Sequence, residues 1–182
     1  MNISVGHKAL ADRLPLQYER SVSMSSYIMD LRKLVGHRPL LQVGASVIVV
    51  DPQNRVLLQR RSDDHTWGYA GGSVELDEVV EEAAKRELFE ETGLYADSLL
   101  LFGVFSGKDT HNVYPNGDEV SNVDIVYVCR DYHGTLKCQD GEVEALRFFD
   151  IDEIPENLFK PIRKPLSKWI EQNRSDNKET IC

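Results

Sequence analysis

The chain has 182 residues, of which 41% are hydrophobic and 28% are charged, and its net charge at pH 7 is −9. This composition is typical of a single globular domain with a full hydrophobic core. The acidic balance offers no basic stripe for a phosphate backbone, so we expect no nucleic-acid partner, and a small phosphate substrate would need metal cations beside it.

Cysteine usage and hydropathy indicate the compartment. The three cysteines, Cys129, Cys138 and Cys182, form no Cys-x-x-Cys pair, so neither a disulfide framework nor a structural zinc site is expected. No apolar run reaches the ~18 residues of a membrane span, and the N-terminus lacks the layout of a signal peptide. We therefore expect a cytoplasmic protein with no membrane partner.

The N-terminal part of the chain divides into an arm and a helix. Residues 1–22 show no clear period and predict a loose arm ahead of one domain over residues 23–182. The domain begins with a helix predicted over residues 25–35, which has an apolar stripe on one face. This stripe must be buried against the chain's own sheet or against a second subunit, and the second option predicts a homodimer. The stripe consists of Ile28, Leu31, Leu34 and Val35.

The rest of the chain alternates apolar, β-branched runs with turn residues, as strands do. Residues 40–50 predict a buried strand, residues 51–54 a turn, and residues 55–61 the paired strand of a hairpin. Strands on both sides of a central helix favour a mixed α/β, or α+β, sandwich. Further strands are predicted over residues 98–107, 121–130 and 144–150, a polar loop over residues 108–119, and closing helical turns over residues 151–159 and 165–173.

The central helix lies in the segment GGSVELDEVVEEAAKRELFEETGL, residues 71–94. Its buried stripe is predicted to be Val80, Ala84 and Leu88, and Gly93 is a natural stop. On the other face, three glutamates fall at positions i, i+3 and i+4, so they share one narrow arc and repel one another. Divalent cations such as Mg²⁺, which prefer oxygen ligands, would relieve that repulsion. These glutamates are Glu87, Glu90 and Glu91.

Two neighbours of the glutamates fit the same interpretation. Gly71 and Gly72 permit the backbone to approach a ligand closely, with a carbonyl free for a metal or an amide free for phosphate. Arg86 can reach Glu82 or Glu90 by helical spacing and would orient a ligand carboxylate. Charge alone favours the simpler alternative of a solvated acidic helix face.

The spacing of these residues resembles the Nudix box, G-x5-E-x7-R-E-U-x-E-E-x-G-U, where U is a bulky aliphatic residue. Every specified position is matched between Gly72 and Leu94. The flanking segments RVLLQRRSDDHTWGYAGG and GEVEALRFFDIDEIP are also similar to the family, so the resemblance to MutT-type Nudix hydrolases covers about residues 40–155.

The resemblance implies a Nudix α/β/α sandwich, with the box helix packed on a mixed β-sheet. It implies Glu87, Glu90 and Glu91 as ligands of Mg²⁺ or Mn²⁺, helped by a carbonyl of Gly71 or Gly72, with Arg86 and Glu78 in support. The implied reaction is water attack on a nucleoside diphosphate linked to another group, giving a nucleoside monophosphate and a phosphorylated product.

The segment before the box helix departs from the family pattern at three positions. Ala70 stands where Pro is frequent, Asp77 where Gly is frequent, and Val79 where Ser or Thr often caps the helix. Asp77 is therefore the predicted N-cap. No metal-ligand position is lost.

Several other side chains have both a functional and a structural interpretation. Glu142 or Glu144 supplies an outer metal ligand or general base, or is a surface charge at a strand end. One of Arg60 and Arg61 faces phosphate, or both lie on an exposed edge. The aromatic candidates either stack on a base or plug the end of the sheet. They are Trp67, Tyr69 and, in the polar loop, Tyr114.

Two other functions are compatible with a Nudix fold. A non-catalytic ligand sensor would have eroded glutamates or an added DNA-binding domain. An isomerase acting on isoprenyl diphosphates would need a catalytic cysteine near the pocket, whereas Cys129 lies in a predicted strand and is expected in the core. The leading prediction is a pyrophosphohydrolase of unspecified nucleotide-type diphosphate.

Overall fold

The computed structural model of the chain describes residues 27–179, so the arm predicted over residues 1–22 lies outside the described residues. None of the helices in the described part is both long enough and apolar enough to cross a membrane. The elements are α1 (Tyr27–Val35), β1 (Leu40–Val49), β2 (Val56–Arg61), β3 (Trp67–Gly68), β4 (Ala70–Ser73), α2 (Val80–Thr92), β5 (Leu94–Ala96), β6 (Leu100–Phe105), β7 (His111–Val113), β8 (Glu119–Cys129), β9 (Tyr132–Gly134), β10 (Val143–Phe149), a 3₁₀ turn (Lys160–Ile162) and α3 (Arg163–Glu179).

The main sheet has the strand order β4-β1-β8-β6, and β7 also pairs with β8. β1 and β8 run parallel along their whole length, while β4, β6 and β7 are antiparallel to their partners. A second sheet has the order β10-β2-β3, and β5 pairs with β9. The sheet is therefore mixed, as expected.

Two hydrophobic clusters lie on opposite faces of β1. Ala45, Val47 and Val49 face α2, whereas Ile48 and Val50 face a cluster that includes Leu166 and Trp169 of α3. Successive side chains of a strand point to opposite faces, so one strand contributes to both cores. The predicted α/β/α sandwich is confirmed, with α2 on one side and α3 on the other.

The predicted hairpin between residues 40–50 and 55–61 forms only at its turn. An antiparallel bridge joins Val50 to Val56 and the Asp51 N–H donates to Arg55 O, after which β2 leaves β1 and pairs with β10 and β3. Val56, Leu57 and Leu58 are all buried, so β2 is covered on both faces.

The segment before α3 also differs from prediction. Residues 151–159 form no helix: one hydrogen-bonded turn, in which Glu153 N–H donates to Asp150 O, is followed by a segment that pairs with β3. Trp67 N–H donates to Asn157 O and Phe159 N–H donates to Trp67 O. The final helix is longer than predicted, and buried Trp169 anchors it. The loop predicted over residues 108–119 contains β7.

Helix α1 is held by a charge rather than by its apolar stripe. Leu34 is 83% exposed, so the prediction that the whole stripe is buried is wrong for the chain alone. Buried Arg32 instead donates to the backbone oxygens of Arg38 and Glu119, at 2.6 Å each, and pairs with Asp118. A charged anchor satisfies carbonyls that apolar packing would have left unpaired. The homodimer stays a prediction, with Leu34 as the side chain available to a second subunit.

Candidate active site

Helix α2 is fixed by small residues on its inner face. Ala83, Ala84 and Leu88 are fully buried against the sheet, and the alanines let the helix approach β1 and β4 closely. The helix ends at Gly93, whose φ of 74° is the left-handed conformation of a C-terminal cap, and its N–H donates to Phe89 O. The predicted stop is confirmed.

The start of α2 is not capped by Asp77, and that prediction is wrong. The helix begins at Val80 after Val79, which makes no side-chain capping bond. Asp77 instead takes a left-handed backbone conformation with φ of 61°. Such a conformation favours glycine, which is the residue the family often has at this position. The loop into α2 therefore keeps a glycine-like shape with an aspartate in it.

The carboxylates of α2 lie against the glycine pair of the edge strand β4. The Gly71 N–H donates to Glu91 Oε2 at 2.8 Å. A Cβ atom added at Gly72 would lie 2.4 Å from Glu87 Oε1, so no other residue fits there without moving that carboxylate. The two glutamates thus approach the backbone of Gly71 and Gly72 closely, and the approach of a ligand to these glycines stays a prediction. We call Glu87, Glu90 and Glu91 together the carboxylate edge.

Arg86 holds the carboxylate edge in place. Its guanidinium donates to both oxygens of Glu78, at 2.8 and 3.0 Å, and to Ser73 O at 3.0 Å. The remaining nitrogen donates to Glu87 at 2.7 Å and to Glu90 at 3.1 Å. These hydrogen bonds, to Glu78 first, raise the pKa of Arg86. Of the two partners expected by helical spacing, Arg86 reaches Glu90, while Glu82 pairs with Lys85.

Burial changes the protonation of two glutamates. Desolvation raises the pKa of Glu87 to about 7, although Arg86 opposes the change. Desolvation and then the charge of Glu87 raise the pKa of Glu91 to about 8, although the Gly71 amide opposes the change. Each carboxylate therefore gains from any further cation that reaches it.

The donor set fits a hard divalent cation. Oxygen donors on one helical arc, two of them desolvated and cradled by glycines, are the ligands that Mg²⁺ and Mn²⁺ prefer. Within residues 27–179, no group of three His, Cys, Asp or Glu side chains is arranged so that it could hold a metal as it stands.

A cavity opens on the other face of the main sheet and reaches the carboxylate edge at Gly71 and Gly72. Tyr69, Tyr114 and Arg61, all predicted substrate-binding residues, line it. Arg61 stacks over Phe159, with its guanidinium carbon 4.4 Å from the ring centroid, and two of its nitrogens donate to Asp63. The rest of the lining includes Gln42, Gly44, Ser46, Gln59, Asn122 and Asp124.

The other two predicted substrate-binding residues lie outside this cavity. Arg60 points to the opposite side of β2 and pairs with Glu144 at 3.3 Å. Trp67 packs edge-on against Phe149, with ring centroids 4.9 Å apart, which is the structural alternative for this residue. The alternation of β2 explains why Arg61 and Arg60 separate.

The two candidate bases at the start of β10 differ in their partners. Glu144 accepts from His65 at 2.7 Å as well as from Arg60. Glu142 is exposed, and its backbone oxygen accepts from Ser62 N–H, which places it beside the end of β2. No ion pair between described residues involves Glu142, so this carboxylate is the freer of the two.

Sequence reasoning missed the polar floor of the cavity. Asp124 is only 8% exposed, accepts from Ser46 Oγ at 2.7 Å and lies 3.5 Å from the Tyr69 hydroxyl. Buried oxygens of Gln59 and Asn122 have no hydrogen-bond partner. We call these four residues, Ser46, Gln59, Asn122 and Asp124, the acceptor floor. The available signal was Asn122 and Asp124, two polar residues two apart that directly precede an apolar run in the same strand.

Comparison with known proteins finds relatives that are all nucleotide hydrolases or NUDIX proteins. The sequence model of the NUDIX domain matches residues 40–170. An ADP-ribose pyrophosphatase of Methanocaldococcus jannaschii is 34% identical over 151 residues, which cover 80% of this chain and 85% of that protein. An oxidized purine nucleoside triphosphate hydrolase of Mus musculus is 36% identical over 112 residues, covering 60% of this chain and 66% of that protein. The crystal structure of a MutT NUDIX hydrolase from Burkholderia pseudomallei superposes with a TM-score of 0.60 at 29% identity, covering 70% of this chain and 97% of that one.

Proposed function

On the premise that this chain belongs to the Nudix family of hydrolases, which act on phosphorus-containing anhydrides, we propose that it is a Mg²⁺- or Mn²⁺-dependent pyrophosphohydrolase. Its substrate is a nucleoside diphosphate linked to another group. Water attacks phosphorus and breaks the phosphoanhydride bond, which releases a nucleoside monophosphate and the phosphorylated second group.

One observation supports this proposal above the others. Two desolvated carboxylates, Glu87 and Glu91, lie one helical turn apart against a glycine pair that also lines a cavity. Their raised pKa values mean that the folded chain holds negative charge there at a cost until a cation arrives. A divalent cation bound there would neutralise phosphate charge and polarise the phosphoryl oxygen.

The chain's own residues have separate tasks in this proposal. Glu87, Glu90 and Glu91 would hold the cations, together with a backbone carbonyl of Gly71 or Gly72. Arg86 orients Glu87 and Glu90 through its hydrogen bonds of 2.7 and 3.1 Å. Glu142, which has no ion-pair partner among the described residues, serves as outer ligand and accepts the proton of the attacking water.

The cavity holds the nucleoside. Arg61 lies between the cavity and the carboxylate edge, since it lines the first and its charge lowers the pKa of Glu91 in the second. It therefore faces the phosphates, while Tyr114 offers a ring to the base. Arg60 and Trp67, which lie outside the cavity, have no role in this proposal.

A panel of diphosphates tests the proposal directly. The purified chain is incubated with nucleoside triphosphates, ADP-ribose and nucleotide sugars, with Mg²⁺, with Mn²⁺ or with a chelator, and nucleoside monophosphate is measured. We expect release of monophosphate that requires the cation. Lack of hydrolysis across the panel, with cation bound and the protein folded, would contradict the proposal.

The isomerase alternative gains no support from the described cysteines. Cys129 is buried in the cluster between α2 and the sheet, on the face opposite the cavity. Burial raises the pKa of its thiol to about 11, so it is a poor nucleophile or acid–base group at neutral pH. Cys138 does not line the cavity.

A further inference from the structure

The acceptor floor contains a charge that the proposed chemistry does not use. Asp124 lies in the middle of β8, and its side chain points away from α2 and toward the cavity. Its partners are hydroxyl groups: Ser46 Oγ at 2.7 Å and the Tyr69 hydroxyl at 3.5 Å. No Lys, Arg or His within the described residues forms an ion pair with it.

A buried carboxylate without a cationic partner destabilises a fold unless something compensates for its lost hydration. Burial raises the pKa of Asp124, and the hydrogen bonds from Ser46 and Tyr69 only partly oppose this. Two hydroxyl donors leave a carboxylate with further lone pairs to offer. Asp124 therefore retains acceptor capacity inside the cavity.

The surroundings of Asp124 keep the approach to it open. A Cβ atom added at Gly44 would lie 3.3 Å from Asp124 Oδ1 and 3.5 Å from Gly72 O, so a side chain at this position would crowd the carboxylate. Two further oxygens nearby, Asn122 Oδ1 and Gln59 Oε1, are buried without partners and belong to residues that line the same cavity. The unpartnered groups of the floor are therefore acceptors, because the Ser46 and Tyr69 hydroxyls already contact Asp124 and the Gln59 side chain hydrogen-bonds Glu91.

An acceptor-rich floor selects a ligand edge that is rich in N–H donors. Guanine offers an imino N–H beside an exocyclic amino group, so both groups can donate to one carboxylate. Adenine offers an amino group beside a ring nitrogen that accepts, and that nitrogen would face the carboxylate oxygens unfavourably. Uracil and thymine present a single N–H between two carbonyls.

We propose that Asp124, assisted by Asn122, determines base specificity by accepting hydrogen bonds from the imino and amino groups of a guanine-type base. This inference rests on the proposed function, because it assumes that the carboxylate edge acts on the diphosphate of the same nucleotide. It places the nucleoside in the cavity and predicts that the substrate is a guanine nucleotide.

A matched pair of substrates tests the proposal. GDP-glucose and ADP-glucose differ only in the base, so the ratio of their kcat/KM values reports base recognition separately from the hydrolytic step. We expect the wild-type chain to prefer GDP-glucose. The variant Asp124→Asn should lower kcat/KM for GDP-glucose by about ten- to a hundredfold, since one charged acceptor becomes a donor, and should change that for ADP-glucose by less than about threefold.

Two further variants separate recognition from stability. Asn122→Ser should lower the same ratio by a smaller factor while leaving Asp124 and its hydroxyl partners in place. Asp131→Asn makes the same chemical change at an exposed residue beyond the end of β8, outside the cavity, and should leave the ratio unchanged. Circular dichroism and thermal melting establish that each variant is folded.

A binding measurement makes the inference independent of hydrolysis. GMP and AMP are titrated into the chain in the presence of a chelator, and affinity is measured by calorimetry. Tighter binding of GMP, lost in Asp124→Asn, supports the base assignment even if every diphosphate tested is left intact, a result that would sink only the proposed function. Equal losses for both bases in Asp124→Asn and Asn122→Ser, or a wild-type preference for the adenine ligands, overturn the base assignment.

Discussion

The carboxylate edge and the acceptor floor both hold buried acidic side chains, and they differ in what faces those side chains. At the carboxylate edge, Glu87 and Glu91 face Arg86 and a backbone amide, yet their pKa values remain raised. At the acceptor floor, Asp124 faces only hydroxyl groups. At the carboxylate edge, the neighbouring donors do not fully compensate the negative charge, so this region suits a cation. At the acceptor floor, Asp124 has lone pairs that accept no hydrogen bond, so this region suits N–H donors.

The position of the two regions explains how one chain keeps them apart. β1 and β4 lie between them: Ala45, Val47 and Val49 of β1 pack toward α2, and Ser46 lines the cavity on the other face. The glycine pair and Gln59 belong to both regions. Gly71 and Gly72 line the cavity and touch Glu91 and Glu87, and the Gln59 side chain of the acceptor floor hydrogen-bonds Glu91. Changes at the carboxylate edge should therefore affect turnover of every substrate, and changes at the floor should affect the choice among substrates.

The largest effect should come from the carboxylate edge itself. Glu90→Gln and Glu91→Gln should each lower kcat by about a hundredfold or more, since a lost cation ligand removes several kcal/mol of transition-state stabilisation. Steady-state kinetics on GDP- and ADP-linked substrates measure this, and both should fall by the same factor. Near-normal turnover in both variants would remove the catalytic role from these residues.

Glu142→Gln should lower kcat by about a hundredfold, the lower end of the range for loss of a general base, because the side chain is exposed. The stabilisation by Mg²⁺ should be largely retained. Glu144→Gln is the matched control and should lower kcat by a smaller factor, since Glu144 already pairs with Arg60 and His65. Full activity of Glu142→Gln at every pH would transfer the proton-accepting role to Glu144 or to the carboxylate edge.

Arg86→Lys should raise the Mg²⁺ concentration needed for half-maximal activity by about ten- to a hundredfold, as expected when a residue that orients metal ligands is changed. A lysine keeps the charge and loses the fork that binds both oxygens of Glu78. Activity titrated against Mg²⁺ measures the shift. Lys85→Arg, on the same helix and paired with Glu81 and Glu82, is the control and should leave the titration unchanged.

The smallest effect concerns stability and pH. The pKa values of Glu87 and Glu91 are raised from 4.5 to about 7 and about 8, so the folded cation-free chain holds protons that the unfolded chain has released. The free energy of unfolding should therefore be highest near pH 5 and should fall as pH rises toward 8, by linkage. Mg²⁺ should raise the melting temperature more at pH 8 than at pH 5, because it competes with fewer protons.

Melting curves across this range, with a chelator or with Mg²⁺, measure the effect. Asp124 contributes a slope of the same sign, since burial raises its pKa as well. The triple variant Glu87→Gln, Glu90→Gln, Glu91→Gln should lose both the Mg²⁺ response and most of the slope. A Mg²⁺ response that persists in this variant would place the cations elsewhere.

The sequence by itself determined the features that depend on neighbours along the chain. The spacing of Glu87, Glu90 and Glu91 put them on one arc of α2, because helical geometry fixes residues three and four apart. Gly93 ended the helix, since glycine tolerates the left-handed conformation there. The glycine pair and the Nudix-type spacing are likewise properties of the sequence alone.

Only the tertiary structure decided which distant residues meet. Asp124 faces Ser46 because β1 and β8 pair in parallel, with Ser46 opposite Val126 and Gly44 opposite Asp124, and nothing local to either strand specifies that register. The same holds for β2, which follows β1 after a tight turn but pairs along its length with β10, far along the chain. Local geometry follows from the few dihedral angles of a helix or turn, whereas strand register is selected by burial summed over the whole domain.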